Sequence, residues 1–304
     1  MSQASAFIKE KFLQFFLPLR NHPLIWSRYV NRVSKRLFQD SSVHLSDIQR
    51  ALVAALRRDG IATIHIDHLF PNKHLLQSFQ QWVNQHRSLA QVAQKKTFLI
   101  ELVDSQITLD LGDPLVQFYL HPVLLDVINS YFQMWSTFYY YSLSVAQVME
   151  PDSLRVYSQQ WHRDPEEVMT CKVFVYIQDV DETSGPFSYV RGSHLGGKWR
   201  SIFPQRPPKG SYPPPQVIEG IVPSLDIQTV TGTAGTVIFC DTSGLHCGGY
   251  ASQQERIMLT GAFLPTSSVW RKRYYLPPNI ETLIQQQIGS PQSRFALTSG
   301  RLHS

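Results

Sequence analysis

His162 and Asp164 stand two residues apart in Gln159-Gln160-Trp161-His162-Arg163-Asp164. The segment reads as extended. On a strand the side chains of residues i and i+2 project to one face, so this imidazole and carboxylate reach a common point. Two donors hold a metal ion loosely, and a strand histidine is commonly just hydrogen-bonded. A second imidazole from a neighbouring strand would complete a two-histidine, one-carboxylate set that caps one face of an ion and leaves its other positions open. Residue 246 supplies it: Gly235-Thr236-Val237-Ile238-Phe239-Cys240-Asp241 reads as a strand, a Ser-Gly turn follows, and His246 comes next in Gly244-Leu245-His246-Cys247-Gly248-Gly249. Beyond it, Arg256 opens a further strand.

In order and spacing these positions resemble the phytanoyl-CoA dioxygenase family of Fe(II)/2-oxoglutarate oxygenases. The resemblance runs from about Gln147 to Pro265. It takes in Trp161-His162-x-Asp164, the segment Lys172 to Asp179, the loop Gly185 to His194, the strand Gly235 to Asp241, His246 and Arg256. It implies a mainly β fold with flanking helices and a double-stranded β-helix (jelly roll, cupin-like) core, with Gly60 and its strand in the N-terminal part. It further implies Fe(II), 2-oxoglutarate and O2 as cofactors, with His162, Asp164 and His246 as metal ligands and catalytic centre. The implied reaction hydroxylates or otherwise oxidises a C–H bond of a small organic substrate and releases succinate and CO2. Halogenating relatives replace the carboxylate by a small residue; Asp164 keeps it, so hydroxylation is the first expectation, with desaturation or ring formation as alternatives.

The distal carboxylate of 2-oxoglutarate needs a fixed cation, and a guanidinium suits it through its bidentate fork and permanent charge. Arg256 is the candidate. Lys172, Phe174 and Tyr176 share strand parity, so if Phe174 faces the cavity, as the family's aromatic at that place does, the other two face it as well. An inward lysine is costly without an anion; a carboxylate of cosubstrate or substrate is the expected partner of Lys172. Relatives often carry a hydroxyl residue two positions after the distal histidine, where this chain has Gly248, and Gln147 on the preceding strand is a candidate substitute donor. His194 matches a structural loop of the family, and His65, His68 and His121 lack partner spacing and are read as structural.

The elements that must position these residues are legible in outline. From Ala6 to about Leu37 apolar residues recur at helical spacing, interrupted by Pro18 and Pro23, which predicts short amphipathic helices packed on the main domain or lying on a membrane surface or partner. A helix with recognisable ends spans Ser46 to Arg58 and stops at Gly60, and a strand from Ile61 to Ile66 follows. Helical patterns return at Leu75 to His86 and Pro122 to Trp135. Short β-branched and aromatic runs then dominate: Tyr139 to Val148, Cys171 to Ile177, Phe187 to Val190, Ile227 to Val230, Thr236 to Cys240 and Arg256 to Phe263. The expected division is a helical extension over residues 1–58 and a jelly-roll domain over 59–304. Within the latter lies a proline-rich insertion at 199–223, with Pro207-Pro208 and Pro213-Pro214-Pro215, read either as a lid or substrate-side loop or as a passive insertion.

The chain of 304 residues carries a net charge of +5 with its Lys and Arg scattered, which speaks against nucleic acid as a partner and suits an anionic small molecule. Cys171, Cys240 and Cys247 are odd in number and lack CxxC spacing, so neither a disulfide framework nor a zinc knuckle is expected. Lys9-Glu10-Lys11 interrupts the first apolar stretch against a signal-peptide layout, and no run of about 18 apolar residues occurs. A soluble cytoplasmic enzyme without stable membrane insertion is expected. Its substrate would be a small molecule such as an acyl thioester, an amino acid or a secondary metabolite, with Trp199 and Tyr212 as aromatic contacts. Two other readings remain: a non-catalytic jelly-roll protein binding a metal or ligand, and a zinc hydrolase with the same three ligands, which would have no need of Arg256.

Overall fold

A computed structural model describes residues 3–87, 94–96, 98–103, 107–151, 153–205, 207–208, 210–214 and 216–299. Pro215 of the triple proline therefore lies outside the described residues. The strands are β1 (Ile61–His65), β2 (Gln94–Lys96), β3 (Leu99–Glu101), β4 (Ser136–Ala146), β5 (Cys171–Tyr176), β6 (Phe187–Val190), β7 (Ile227–Val230), β8 (Thr236–Asp241), β9 (His246–Cys247) and β10 (Arg256–Pro265). The helices are α1 (Gln3–Arg20), α2 (Pro23–Ile25), α3 (Arg32–Asp40), α4 (Asp47–Asp59), α5 (Ile66–Leu69), α6 (Leu75–Arg87), α7 (Pro114–Tyr119), α8 (Pro122–Phe132), α9 (Val217–Ile221), α10 (Ile280–Gln287) and α11 (Pro291–Thr298). Two sheets face each other: a large one in the order β1-β8-β5-β10-β4-β3-β2 and a small one in the order β7-β6-β9, with every pairing antiparallel. This is the expected jelly roll with helices outside.

Strand parity decides what goes where. In register, Thr260 of β10 lies between Phe174 of β5 and Ser142 of β4, and Met258 lies between Tyr176 and Ser144. These residues turn inward between the sheets. Their neighbours Leu143, Val145, Val173, Val175, Ile257 and Leu259 turn outward into a large core with Leu52 and Leu56 of α4, Leu115 of α7 and Leu124 and Ile128 of α8. A smaller cluster, including Ile61, Tyr176, Phe187, Tyr189 and Ile238, joins the two sheets.

The entry into the first strand is fixed by local chemistry. The Ser46 hydroxyl accepts from Gln49 N–H while the Gln49 side chain accepts from Ser46 N–H, a reciprocal cap that starts α4. Gly60 ends the helix in the left-handed region at φ 79°, and a Cβ there would come within 2.6 Å of His194 Nδ1. The His194 ring contacts Arg57 O through Nε2 at 3.1 Å, a packing role. His65 and His121 likewise accept backbone N–H groups at the starts of α5 and α8.

Pro18 does not break the first helix as its position suggested. α1 runs through Pro18 to Arg20, and Pro23 heads α2, where a missing N–H is harmless. Leu17 and Arg20 are buried, whereas Phe12, Phe15 and Leu19 are exposed. Arg20 reaches Glu167, three residues past Asp164, at 3.0 and 2.5 Å, and Trp26 Nε1 donates to the same carboxylate at 3.1 Å. Arg20 also donates to Ser267 O at 2.7 Å. The helices before α4 are thus bolted to the chain beside the candidate ligands. Among the described residues no helix is long and apolar enough to cross a membrane.

Because both partners of the Arg20–Glu167 pair are buried, removing one leaves an uncompensated charge. Glu167→Ala is expected to cost about 3–5 kcal/mol of folding stability, while a double replacement by Met and Leu recovers most of it. Thermal unfolding of the single and double variants reads this, and a single variant as stable as the parent would show that the pair is not formed.

Candidate metal centre

His162 N–H donates to His246 O at 2.9 Å and His246 N–H returns the bond to His162 O at 3.0 Å. This closed antiparallel pair sets two imidazoles side by side, ring centres 4.1 Å apart. Asp164 N–H then donates to Thr242 O at 3.0 Å, which carries the pairing one step further. Arg163 projects to the opposite side. Its guanidinium donates to Ser193 O at 2.5 Å, Ser243 O and Phe203 O at 2.8 Å and Ile202 O at 3.0 Å, which ties the loops behind the centre together. The turn leading to His246 is held by Asp241, which accepts from Tyr131 OH at 2.5 Å and from Ser243 N–H at 3.0 Å.

Each ring is oriented by a backbone carbonyl: His162 Nδ1 donates to Gln160 O at 2.9 Å and His246 Nδ1 to Gly244 O at 3.0 Å. A carbonyl only accepts, so the proton sits on Nδ1 and each ring presents an unprotonated Nε2. Asp164 Oδ1 is 3.8 Å from His162 Nε2, and its Oδ2 is 3.7 Å from His246 Nε2. All three donor atoms lie within 4.8 Å of one another, and all three residues are buried. Two imidazole nitrogens and one carboxylate on one side of an otherwise open space fit a divalent first-row metal.

Lys172 Nζ lies 2.6 Å from Asp164 Oδ2. The expectation that an external carboxylate neutralises Lys172 gives way to a partner within the protein, the candidate ligand itself, which leaves Oδ1 for an ion. Burial opposes both charges. It is outweighed at Asp164 by the Lys172 ammonium and the two imidazoles, which hold the carboxyl well below the usual range, and at Lys172 by Asp164, Tyr140 and Glu166, which hold the ammonium well above its usual one. Burial, with His162 second, pulls the His246 imidazole down to about 3.

The donors open into a cavity of about 350 Å³ whose lining includes Lys172, Phe174, Gly248 and Arg256. Arg256 is buried. Its guanidinium donates to Gly185 O, its Nε has no hydrogen-bond partner, and no carboxylate among the described residues pairs with it. Burial lowers its pKa. A Cβ at Gly248 would lie 3.5 Å from Arg256 Nη2, so the residue that replaces the family's hydroxyl leaves room at the guanidinium. Gln147 does not join this group. The inward row of β4 is Ser142, Ser144 and Ala146, so the next residue turns away and lines a separate depression with Gln178 and Glu255. Tyr176 faces inward but is consumed between the sheets, where its hydroxyl donates to Val230 O at 2.9 Å and accepts from Phe187 N–H at 3.0 Å. Trp199 is also elsewhere, donating to Asp226 at 3.0 Å, whereas Tyr212 of the proline-rich segment stacks on the His162 ring at 5.5 Å.

No protein-family model matches the chain, and no curated protein matches it. Solved structures do. The epimerase SnoN in complex with Fe3+, alpha ketoglutarate and nogalamycin RO is 15% identical with a TM-score of 0.56, over 74% of this chain and 87% of that one. The chain shares the jelly-roll fold of that structure. EctD from S. alaskensis with 2-oxoglutarate and 5-hydroxyectoine gives a TM-score of 0.51 at 16% identity over 78% and 83% of the two chains. The alpha ketoglutarate dependent carbocyclase SnoK from nogalamycin biosynthesis gives 0.50 at 16% over 75% and 87%.

Tyr140, Ser142, Ser144, Glu166 and Arg273 line the cavity but were not singled out on chemical grounds. Only Glu166 carried a signal, since it continues the parity of His162 and Asp164.

The His246 shift makes metal-free stability depend on pH. The unfolded chain takes up this proton near 6.5 and the folded chain only near 3, so between those values the unfolded state binds more protons and stability falls as pH falls. Asp164 acts in the same direction but at lower pH: its carboxyl pKa is depressed, so its contribution is present above the unfolded carboxyl value of 3.8 and is lost as pH falls below it. Acid destabilisation of chelator-treated protein should therefore begin near pH 6.5, and His246→Gln should flatten the melting profile from there downward. Parallel profiles would contradict a buried neutral His246.

Proposed function

We propose that this protein is an Fe(II)- and 2-oxoglutarate-dependent dioxygenase of the phytanoyl-CoA dioxygenase type, hydroxylating an unactivated C–H bond of a small organic substrate. One observation carries the reading. The buried His162, Asp164 and His246 share a cavity with Arg256, a buried guanidinium for which the described residues provide no carboxylate. An isolated buried charge is expensive, so a site that keeps one is built to meet an anion. The partly similar SnoN and EctD structures hold alpha ketoglutarate or 2-oxoglutarate, which supports the same dicarboxylate here.

Bound together, Fe(II) and 2-oxoglutarate supply O2 activation, with succinate and CO2 as products alongside the oxidised substrate. The chain contributes the rest. His162 and His246 hold the metal through Nε2 and Asp164 holds it through Oδ1. Lys172 neutralises the other carboxylate oxygen and keeps the ligand from swinging. Arg256 grips the far carboxylate of the cosubstrate with a planar fork that a lysine cannot reproduce. Phe174, Phe187 and Met258 give the cavity apolar wall that excludes water. Retention of Asp164 leaves no vacant place for a halide, which favours hydroxylation. Three buried free thiols, Cys171, Cys240 and Cys247, suit the reducing cytoplasm.

Anaerobic titration of the protein with Fe(II) and 2-oxoglutarate should develop a weak visible charge-transfer band, and His162→Ala should abolish it. Arg256→Met is expected to weaken 2-oxoglutarate by roughly 30-fold or more, the cost of removing one partner of a buried charged contact. Equal 2-oxoglutarate affinity in that variant would contradict the assignment of Arg256.

A further inference from the structure

The wall of the cavity beside Asp164 holds a second polar group that the metal and cosubstrate do not use. Glu166 lines the cavity with its side chain 10% exposed, and its Oε2 is buried without a hydrogen-bond partner among the described residues. Its Oε1 lies 3.8 Å from Arg273 Nη2, a loose ion pair. The Arg273 guanidinium in turn stands over the Tyr140 ring at 4.8 Å, and its Nε donates to Tyr139 OH at 3.2 Å. Tyr140 and Tyr212 give two aromatic surfaces to the same space, the latter half exposed at the mouth.

Neither Glu166 nor Arg273 is there by accident of folding. Asp164 and Glu166 point inward while Glu167 points outward to Arg20, and Gln205 donates to Asp164 O at 2.5 Å and to Glu167 O at 3.0 Å. The backbone on both sides of Glu166 is therefore clamped, and a rigid, buried, unsatisfied acceptor is aimed at a cavity. Such a group is costly unless a ligand satisfies it. The charges on this wall already balance in pairs, Asp164 with Lys172 and Glu166 with Arg273. A cationic ligand at Glu166 would face two cations, and an anionic ligand at Arg273 would face two carboxylates. Hydroxyl groups meet neither objection: each donates to the carboxylate and accepts from the guanidinium, while the C–H faces of the ring that carries them lie on tyrosine.

We infer that Glu166 and Arg273, with Tyr140 and Tyr212, form a recognition subsite for a neutral polyhydroxylated ring, a glycosyl or cyclitol group, that presents its C–H bond to the metal. This deepens the proposed function and rests on it. The subsite narrows the substrate from the broad classes above to molecules that carry such a ring, and it disfavours simple acyl chains.

The test uses full-length protein loaded with Co(II) and 2-oxoglutarate, whose absorption spectrum reports an intact metal site in each variant. The probes are methyl α-glucopyranoside and myo-inositol, with hexylamine and hexanoate as charged and apolar counterparts, and the readout is paramagnetic relaxation of probe protons. At least one polyol is expected to be relaxed more than either counterpart. Glu166→Met and Arg273→Met should each weaken its binding roughly tenfold or more, as loss of a charged hydrogen bond requires. Glu166→Met should melt within about 4 °C of the parent, because one of the two oxygens it removes has no partner and the other makes only the loose 3.8 Å pair with the half-exposed Arg273. With a normal Co(II)–2-oxoglutarate spectrum, tighter binding of hexylamine or hexanoate, no polyol response, or unchanged polyol binding in both variants each overturns the subsite alone. Absence of the Co(II)–2-oxoglutarate spectrum in the parent overturns the enzymatic reading, and the subsite with it.

Discussion

The reciprocal backbone hydrogen bonds between His162 and His246 are the constraint on which the centre depends. They join segments far apart in sequence, close one end of the jelly roll, and force both imidazoles onto the same face. Once that pair exists, strand alternation places Asp164 beside them and drives Arg163 to the far side. A buried guanidinium there would be a defect if it met only apolar groups. It instead satisfies carbonyls of Ser193, Phe203 and Ser243 that have turned away from regular pairing, so the residue between two ligands becomes the clamp for the loops behind them.

Burial works against every charge in this cavity, and what each charge finds in compensation separates their roles. Asp164 finds Lys172 at 2.6 Å and stays ionised, as a metal ligand must. Arg256 finds a carbonyl and no carboxylate. Glu166 finds Arg273 only loosely, and its carboxyl pKa is raised by burial and by the neighbouring Asp164. Lys172 keeps Asp164 ionised for the candidate metal centre, while the two incompletely compensated groups, Arg256 and Glu166, mark where further ligands are expected.

Much of this was legible in the sequence because it follows from period-two geometry. His162 with Asp164, the strand ending before His246, Arg256 at the start of the last long strand, and Lys172 with Phe174 all depend on parity within one strand. The helix start at Ser46 and its stop at Gly60 were legible for a different reason, the residue preferences of helix ends. What failed depended on where a strand ends or on what lies across space. Gln147 was read as part of the preceding strand's inner face, yet inward parity falls on Ala146, opposite Arg256. The partner of Lys172 is a contact between β5 and a loop, which spacing does not encode. Arg273 follows β10 in an irregular segment, and β2 and β3 are too short to show a pattern. Pro18 was overread as a break, since α1 continues through it to Arg20.

The two walls of the cavity are supported by different means. Arg256, Met258 and Thr260 face Ser144 and Ser142 across ladders of β4, β5 and β10, so their spacing is fixed by sheet register and is hard to alter without a slip that would turn every side chain over. Glu166, Tyr212 and Arg273 sit on irregular chain held by side chains from elsewhere: Arg20 and Trp26 from the N-terminal helices onto Glu167, Arg20 onto Ser267, and Gln205 onto the carbonyls of Asp164 and Glu167. The N-terminal helices are therefore part of the site's support rather than an appendage. On the proposed reading, the rigid ladders carry the group that meets the cosubstrate, whose task is constant, and the loop-borne groups, each held by a few replaceable contacts, carry recognition of the variable partner.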